Sequence, residues 1–422
     1  MNGDEAVTES VEVLVVGAGQ AGVAMSEHLT GQGISHIVLE RGRIAERWRS
    51  ERWDSLVTNG PVWHDRFPNL EFPGLGPDDF AAKEQVVEYF VKYSEQYNAP
   101  IRCGVNVTSV RRNRDGAGFA VETSEGSISA QYVVAATGAF QQPVIPSIVP
   151  ADASITQIHS SGYKNPDQLP AGAVLVVGAG ASGVQIAEEL QSSGRQVYLS
   201  VGPHDRPPRR YRERDFVWWL GVLGLWDLQT PPSGAEHVTI AVSGANGGHT
   251  VDFRNLAAMG MTLVGRTNSF DEGVMHFGED LSRNITNGDN NYLAVLRQAD
   301  EFAERNGLDL PLEPEAHELA PLPDDVTKPL TELDLTAAGV TSIIWSTGYT
   351  SDYSWLDVEA FDENGRPQHR RGVSSEPGIY FLGLPWLSRR GSSFIWGVWH
   401  DAKFIGDHIA IQRTYAAYRP TV

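Results

Sequence analysis

The chain opens with a short apolar run, VEVLVV at residues 11–16, which ends on glycine. It is too short for a helix and rich in β-branched residues, so it predicts a buried strand. A helical pattern follows at about 21–32, and a second strand at 36–40. The same order returns in the middle of the chain: AVLVV from Ala173, a glycine turn, a helical pattern, then a strand at 196–200. Between the two units, residues 83–97 place Val86, Val87, Phe90 and Val91 at helical spacing. Residues 105–112, 119–123 and 127–129 read as antiparallel strands with a turn at Asp115-Gly116, and 132–137 as another buried strand. Pro143, Pro146, Pro150, Pro166 and Pro170 mark a linker. Later come a helix near 290–306, strands at 342–346 and 379–382, and a closing helix near 393–417. Residues 42–80, rich in Trp, Pro and Gly, and most of 202–330 follow no simple period.

The glycines between strand and helix carry the first chemistry. Gly17-x-Gly19-x-x-Gly22 has the spacing that makes a tight turn, lets a pyrophosphate approach the backbone and packs helix on strand. Glu40 lies 18 residues beyond Gly22, at the end of the next strand, where a carboxylate takes the ribose hydroxyls of an adenosine. Gly178-x-Gly180-x-x-Gly183 repeats the turn. Its following strand ends in Ser200 rather than an acid, with Arg206, Arg209 and Arg210 after it. Serine does not repel a 2′-phosphate and arginine binds one by paired hydrogen bonds, which favours NADPH over NADH there. Two strand ends, Thr137-Gly138 and Thr347-Gly348, are small enough to pass close to a cofactor. The expected fold is therefore α/β, with two three-layer Rossmann-type dinucleotide-binding domains, the second inserted in the first. The expected bounds are 1–165 with 331–422 for the first domain and 166–330 for the second.

Composition narrows the partners. The 422 residues carry a net charge of −20, which disfavours nucleic acid. Cys103 is the one cysteine, so one chain can form neither an internal disulfide nor a redox dithiol. A lone cysteine is expected to be a small buried hydrophobe. The acidic N-terminus is unlike a signal peptide and no run is long enough to span a membrane, so a soluble cytoplasmic protein is expected. No His/Cys/Asp spacing points to a metal.

Paired fingerprints and both Thr-Gly strand ends resemble the two-dinucleotide flavoprotein superfamily. Within it the chain resembles the class B flavin-containing monooxygenases, and most closely a bacterial flavoprotein oxidoreductase branch. Glu40-Arg41 with Arg47-Trp48-Arg49, Leu56-Val57-Thr58-Asn59 with Phe67-Pro68 and Phe72-Pro73, and His159-Ser160-Ser161-Gly162-Tyr163 carry the monooxygenase likeness. Arg209-Arg210-Tyr211-Arg212, Gly247-Gly248-His249 and Gly383-Leu384-Pro385-Trp386 are similar to the bacterial branch. The family signature normally opens with Phe-x-Gly; Ala153 and Ile155 stand at those positions.

The resemblance implies FAD on the first unit and NADPH on the second. Reduced flavin would add O2 to give a C4a-(hydro)peroxyflavin that oxygenates a small organic substrate. A flavin reductase or oxidase that oxygenates nothing is the alternative. Asn59 is the expected catalytic residue, orienting the flavin–oxygen adduct or the substrate. The expected FAD contacts are Gly17, Gly19, Gln20, Ala21, Gly22, Glu40, Arg41, Arg47, Trp48, Trp53, Thr58, Val107, Thr137 and Gly138. On the NADPH side they are Gly178, Gly180, Ser182, Gly183, Ser200, Arg209 and Arg210, with Thr347 and Gly348 completing the cofactor sites. His159 is expected to couple domains rather than to act as acid or base. Trp218, Trp219, Leu220, Leu223 and Leu225 read either as a core helix or as the patch of a homodimer.

Overall fold

The computed structural model describes residues 9–114, 116–230 and 239–420. The acidic start of the chain and Asp115 of the expected turn lie outside the described residues.

Two parallel sheets organise the described residues. In the first, the parallel strands run in the order Ile101–Cys103, His36–Glu40, Glu9–Val16, Gly126–Ala135 and Ile379–Phe381. Val13, Leu14, Val15, Val38, Val133 and Val134 are wholly buried, because a strand covered on both faces can hold only apolar side chains. Gly126–Ala135 is long enough for two roles. Its first half pairs antiparallel with Phe119–Thr123, which pairs in turn with Val107–Arg112, and its second half pairs parallel with Ile379–Phe381. Helix Gln20–Gly31 and the closing helix Ile395–Ala417 pack together on this sheet. A Cβ on Gly406 would stand 3.2 Å from His28 Cβ, so the glycine sets how closely they approach.

The second sheet repeats the plan: Thr262–Val264, Val197–Ser200, Ala173–Val177, Val340–Trp345 and Thr156–His159, all parallel. This corrects the expected bounds. Val340–Trp345 was assigned to the first domain, yet it hydrogen-bonds to Ala173–Val177, and Thr156–His159 joins on its far side. The second sheet thus draws on residues 156 to 345 rather than 166 to 330. The reason is the repeat itself. Thr347-Gly348 stands to the second glycine turn as Thr137-Gly138 stands to the first.

The helix expected near 290–306 spans Leu281–Arg305. Its first half, rich in Asn, Asp and Gly, has poor intrinsic helix propensity. Tertiary partners impose the helix there. Asn284 donates to Val201 O at 3.0 Å, a Cβ on Gly288 would meet His204, and Asp289 pairs with Arg206 and Arg254. Cys103 also differs from expectation: it is exposed, because its strand forms the edge of the first sheet. Among the described residues no helix is long and apolar enough to cross a membrane.

Candidate functional site

At the first turn Gly17 has φ +106°, and a Cβ there would sit 2.7 Å from Ala136 O. On Gly22 a Cβ would fall 1.8 Å from Gly17 O, so no other residue fits without moving the backbone. Gly19 meets nothing within 4 Å, which leaves its side of the turn open in front of helix Gln20–Gly31. Glu40 fixes the far wall: Oε2 accepts from Ala18 N and Oε1 from Gly42 N, both at 2.8 Å.

A cavity of about 230 Å³ opens over this turn. Of the expected contacts, Gly17, Gly19, Gln20, Ala21, Glu40, Arg41, Arg47, Trp48, Val107, Thr137 and Gly138 line it. Gly22, packed beneath the turn, Trp53 and Thr58 do not. Trp53 is buried in the core of the second unit, and the Thr58 hydroxyl donates to Gly60 O and accepts from Ala81 N, which ties a loop. Thr58 was expected from the family's Thr-Asn segment and Trp53 as an aromatic suited to a flat ligand, and neither lines the cavity.

Among the lining residues outside the expected contacts, Gln141 and Ser393 tie the walls together. Gln141 donates to Thr137 Oγ1 and Gly138 O, both at 2.9 Å, and accepts from Asp352 N at 2.7 Å. Ser393 gives its carbonyl to Gln20 Nε2 at 2.7 Å, bringing the start of the closing helix to the first turn. Gln141 follows a Thr-Gly strand end and could have been found there; Ser393, just ahead of the closing helix, reaches the first turn across 373 residues of chain.

The second turn copies the first in outline. Gly178 has φ +104° and a Cβ on it would lie 2.5 Å from Ser346 O; one on Gly183 would lie 1.8 Å from Gly178 O. Its mouth is narrower, since a Cβ on Gly180 would come 3.1 Å from Thr239 Cγ2. Ser182 is half-buried in the first turn of helix Ala181–Ser192. The Ser200 hydroxyl is buried, donating to Gly265 O at 2.9 Å and accepting from Thr267 N at 3.1 Å.

Arg209 departs furthest from its expected role. Its guanidinium is 2% exposed, grips Asp215 bidentately at 2.6 and 3.0 Å, and donates to the carbonyls of Asn59 and Ser243. Those partners use its donors and leave none for a 2′-phosphate. Burial pulls the Arg209 pKa down against the pull of Asp215. Arg210 is exposed on the short strand Arg210–Tyr211. An exposed arginine, Arg266, follows the neighbouring strand Thr262–Val264. Its stem comes within 3.5 Å of a Cβ placed on Gly202.

Asn59, the expected catalytic residue, does not line the cavity over the first turn; its side chain and carbonyl bond to the second unit. Its Oδ1 accepts from Gln185 Nε2 at 2.8 Å, and Gln185 lies on helix Ala181–Ser192 of the second turn. The same Gln185 nitrogen donates to Val242 O at 2.7 Å. Asn59 Nδ2 keeps no partner among the described residues. His159 has both ring nitrogens occupied. Nε2 donates to Gly348 O at 3.0 Å and Nδ1 accepts from Ser161 N at 3.1 Å, while burial lowers its pKa. A neutral, doubly bonded ring holds segments in place and has no free atom for acid–base work. Trp219 and Leu220 are buried against this chain's own residues, so helix Phe216–Val222 is core.

Twin glycine turns on paired parallel sheets, the first opening on a cavity, define a flavoprotein oxidoreductase architecture. A family model described as pyridine nucleotide-disulphide oxidoreductase matches residues 14–220. An uncharacterized CzcO-like oxidoreductase of Geobacillus kaustophilus is 34% identical over 94% of this chain and 97% of its own length. The indole-3-pyruvate monooxygenase YUCCA4 of Oryza sativa is 30% identical over 95% of this chain and 88% of its own. A flavin-containing monooxygenase structure from Stenotrophomonas maltophilia superposes with a TM-score of 0.66, covering 97% of this chain and all of that one, at 20% identity. The chain belongs to the CzcO-like oxidoreductases, within the class B flavin-containing monooxygenase superfamily. FAD and NADPH are the cofactors of that superfamily.

Proposed function

We propose that the protein is an NADPH- and O2-dependent flavin monooxygenase built on two Rossmann-type domains. The first turn holds FAD and the second holds NADPH. The observation that carries this reading is the doubled cradle, in which a Cβ on Gly22 or Gly183 would strike the backbone at 1.8 Å while Gly19 faces open space. Such a surface takes a diphosphate and little else. Bound FAD supplies the redox chemistry, accepting hydride from NADPH and passing one atom of O2 to an organic substrate.

This chain's own residues bind and orient. Glu40 is held by two backbone N–H groups and keeps lone pairs for ribose hydroxyls. Gln141 fixes the Thr137-Gly138 edge, and Trp48 and Arg47 wall the cavity. Asn59 offers its free amide N–H beside helix Ala181–Ser192, with Gln185 fixing its rotamer. Arg266 replaces Arg209 as the residue for the 2′-phosphate. The test is spectroscopic. Purified protein is expected to be yellow, to bleach with NADPH faster than with NADH, and to reoxidise in air slowly in the absence of substrate. Immediate reoxidation with stoichiometric peroxide would favour the reductase reading. Colourless protein that takes up no flavin would end both.

A further inference from the structure

The connection between strand Ile379–Phe381 and the closing helix Ile395–Ala417 ends at the first cavity. It runs through Trp386, whose φ of +54° is one that a residue with a side chain rarely adopts. Ser393, near its end, lines the cavity and binds Gln20 through its carbonyl, while its own N–H has no acceptor among the described residues. The turn at 388–393 that delivers Ser393 is held from two sides. Toward the second unit, Arg390 N donates to Leu228 O at 2.8 Å and Gly391 N to Trp226 O at 3.1 Å. Toward the closing helix the turn packs so closely that a Cβ on Gly397 would fall 1.9 Å from Gly391 O.

A directed chain of hydrogen bonds runs inside this turn. Ser392 Oγ accepts from Ser388 N at 3.0 Å and from Arg389 N at 3.1 Å. Both its lone pairs are then used, so its proton goes to Ser388 Oγ at 3.3 Å. Ser388 Oγ–H in turn donates to Asp401 Oδ1 at 2.5 Å. Asp401 stands in the second turn of the closing helix and is 2% exposed. Its other oxygen, Oδ2, is buried with no hydrogen bond among the described residues. Arg389 and Arg371 attract it through space, but Arg389 is paired with Asp227 and Arg371 lies over the ring of Phe404. Burial accordingly raises the Asp401 pKa. A buried, half-satisfied carboxyl costs the fold stability. A residue that costs stability and stands behind a cofactor-lining turn is one the site requires.

Resting on the cofactor reading above, we propose that Asp401 is a positioning residue for FAD, and that it acts through Ser388 and Ser392 to fix the turn that carries Ser393 to the cavity. Asp401 does not line the cavity. Its effect reaches the cofactor only along Asp401–Ser388–Ser392 and the adjoining Ser393. The bonds to Leu228 and Trp226 tie the turn to the second unit, and Asp401 ties it to the helix that covers the first sheet. A binding surface must be held to within about 0.5 Å, and residues one step behind it do that holding.

Three full-length variants test the chain of bonds. Asp401→Ala removes the acceptor, Ser388→Ala removes the donor it serves, and Asp401→Asn keeps the shape and one acceptor oxygen. Each apoprotein is titrated with FAD, the bound flavin is read by visible circular dichroism, and the apoprotein is unfolded in urea. The dissociation constant for FAD is expected to rise about tenfold in Asp401→Ala and in Ser388→Ala, with a changed flavin spectrum in both. Asp401→Asn is expected to recover most of the affinity, and its apoprotein to unfold at no lower urea concentration than the wild type, because an amide is cheaper to bury than a carboxylate. A merely structural Asp401 would lower apoprotein stability and leave the affinity and spectrum of bound FAD as they were, and that result overturns the proposal. Should Asp401→Ala fail to fold, Ser388→Ala decides, and an affinity within about twofold of wild type there overturns the proposal equally. Wild-type apoprotein that takes up no FAD would overturn the cofactor reading as well. A yellow wild type with indifferent variants would sink this inference alone.

Discussion

The two glycine turns are nearly superimposable in local terms and differ in what surrounds them. Gly17 and Gly178 have φ of +106° and +104°, and Gly22 and Gly183 face the same 1.8 Å obstruction. Around the first, Glu40, Gln141 and Ser393 leave a cavity of about 230 Å³. Around the second, Thr239 closes on Gly180 and the Ser200 hydroxyl is already bonded to Gly265 and Thr267. A diphosphate cradle is thus a local property, whereas the choice of dinucleotide belongs to residues that the fold delivers from elsewhere. On this reading the first turn holds a resident cofactor and the second a visiting one.

Unequal damage to the two turns would test that contrast most severely. Gly22→Ala is expected to give colourless and poorly folded protein. Gly183→Ala is expected to stay yellow while its reduction by NADPH slows at least about a hundredfold, since a misplaced donor forfeits that much. Equal loss of colour in both would erase the distinction. The next largest effect is on stability. Arg209→Met leaves Asp215 buried and unpaired, and is expected to lower unfolding free energy by about 3–5 kcal/mol in urea titrations without altering the NADPH-to-NADH ratio. A changed ratio would return Arg209 to the phosphate.

Glu40→Gln weakens the charge-assisted bonds to Ala18 N and Gly42 N and the grip on ribose, so FAD is expected to dissociate about tenfold more readily in dialysis. Arg266→Ala should reduce NADPH affinity by a similar factor of about ten and spare NADH, as read from reduction rates against cofactor concentration. The smallest effect is the dependence of stability on pH. Burial lowers the pKa of His28, His36, His159, His204, His369, His400 and His408. The unfolded chain therefore binds more protons than the native one below about pH 6.5. Stability due to keeping these rings neutral is complete above that value and is lost as pH falls through the lower native values. His249, raised by its bond to Glu188, works in the opposite sense: its contribution is present at low pH and fades as pH rises through its native value. Seven lowered rings against one raised predict a melting temperature that drops by a few degrees between about pH 7 and pH 5. A flat profile would show that the rings are not held neutral.

Reading the chain alone recovered the strands and glycine turns because each is written within a dozen neighbouring residues. Val13–Val16 must be buried and Gly17 must turn, whatever follows. The reading erred where a residue's partner is distant. Arg209 looked like a phosphate ligand until Asp215 and the Asn59 carbonyl claimed it. Val340–Trp345 looked like a strand of the first sheet because nothing in its six residues names the neighbour it pairs with. The first half of helix Leu281–Arg305 was passed over because its helicity comes from Arg206, Arg254 and Val201 rather than from its own composition.

The division follows from the range of the forces involved. Periodicity, steric limits on φ and the spacing of three glycines act over one turn of chain, so the amino-acid order was enough to establish two strand–glycine turn–helix units on an α/β scaffold. Sheet membership, the pairing of buried charges and the approach of Ser393 to Gln20 depend on long-range packing. Only the tertiary structure decided those, because a hydrogen-bond donor or an aromatic face carries no mark of which distant partner will desolvate it.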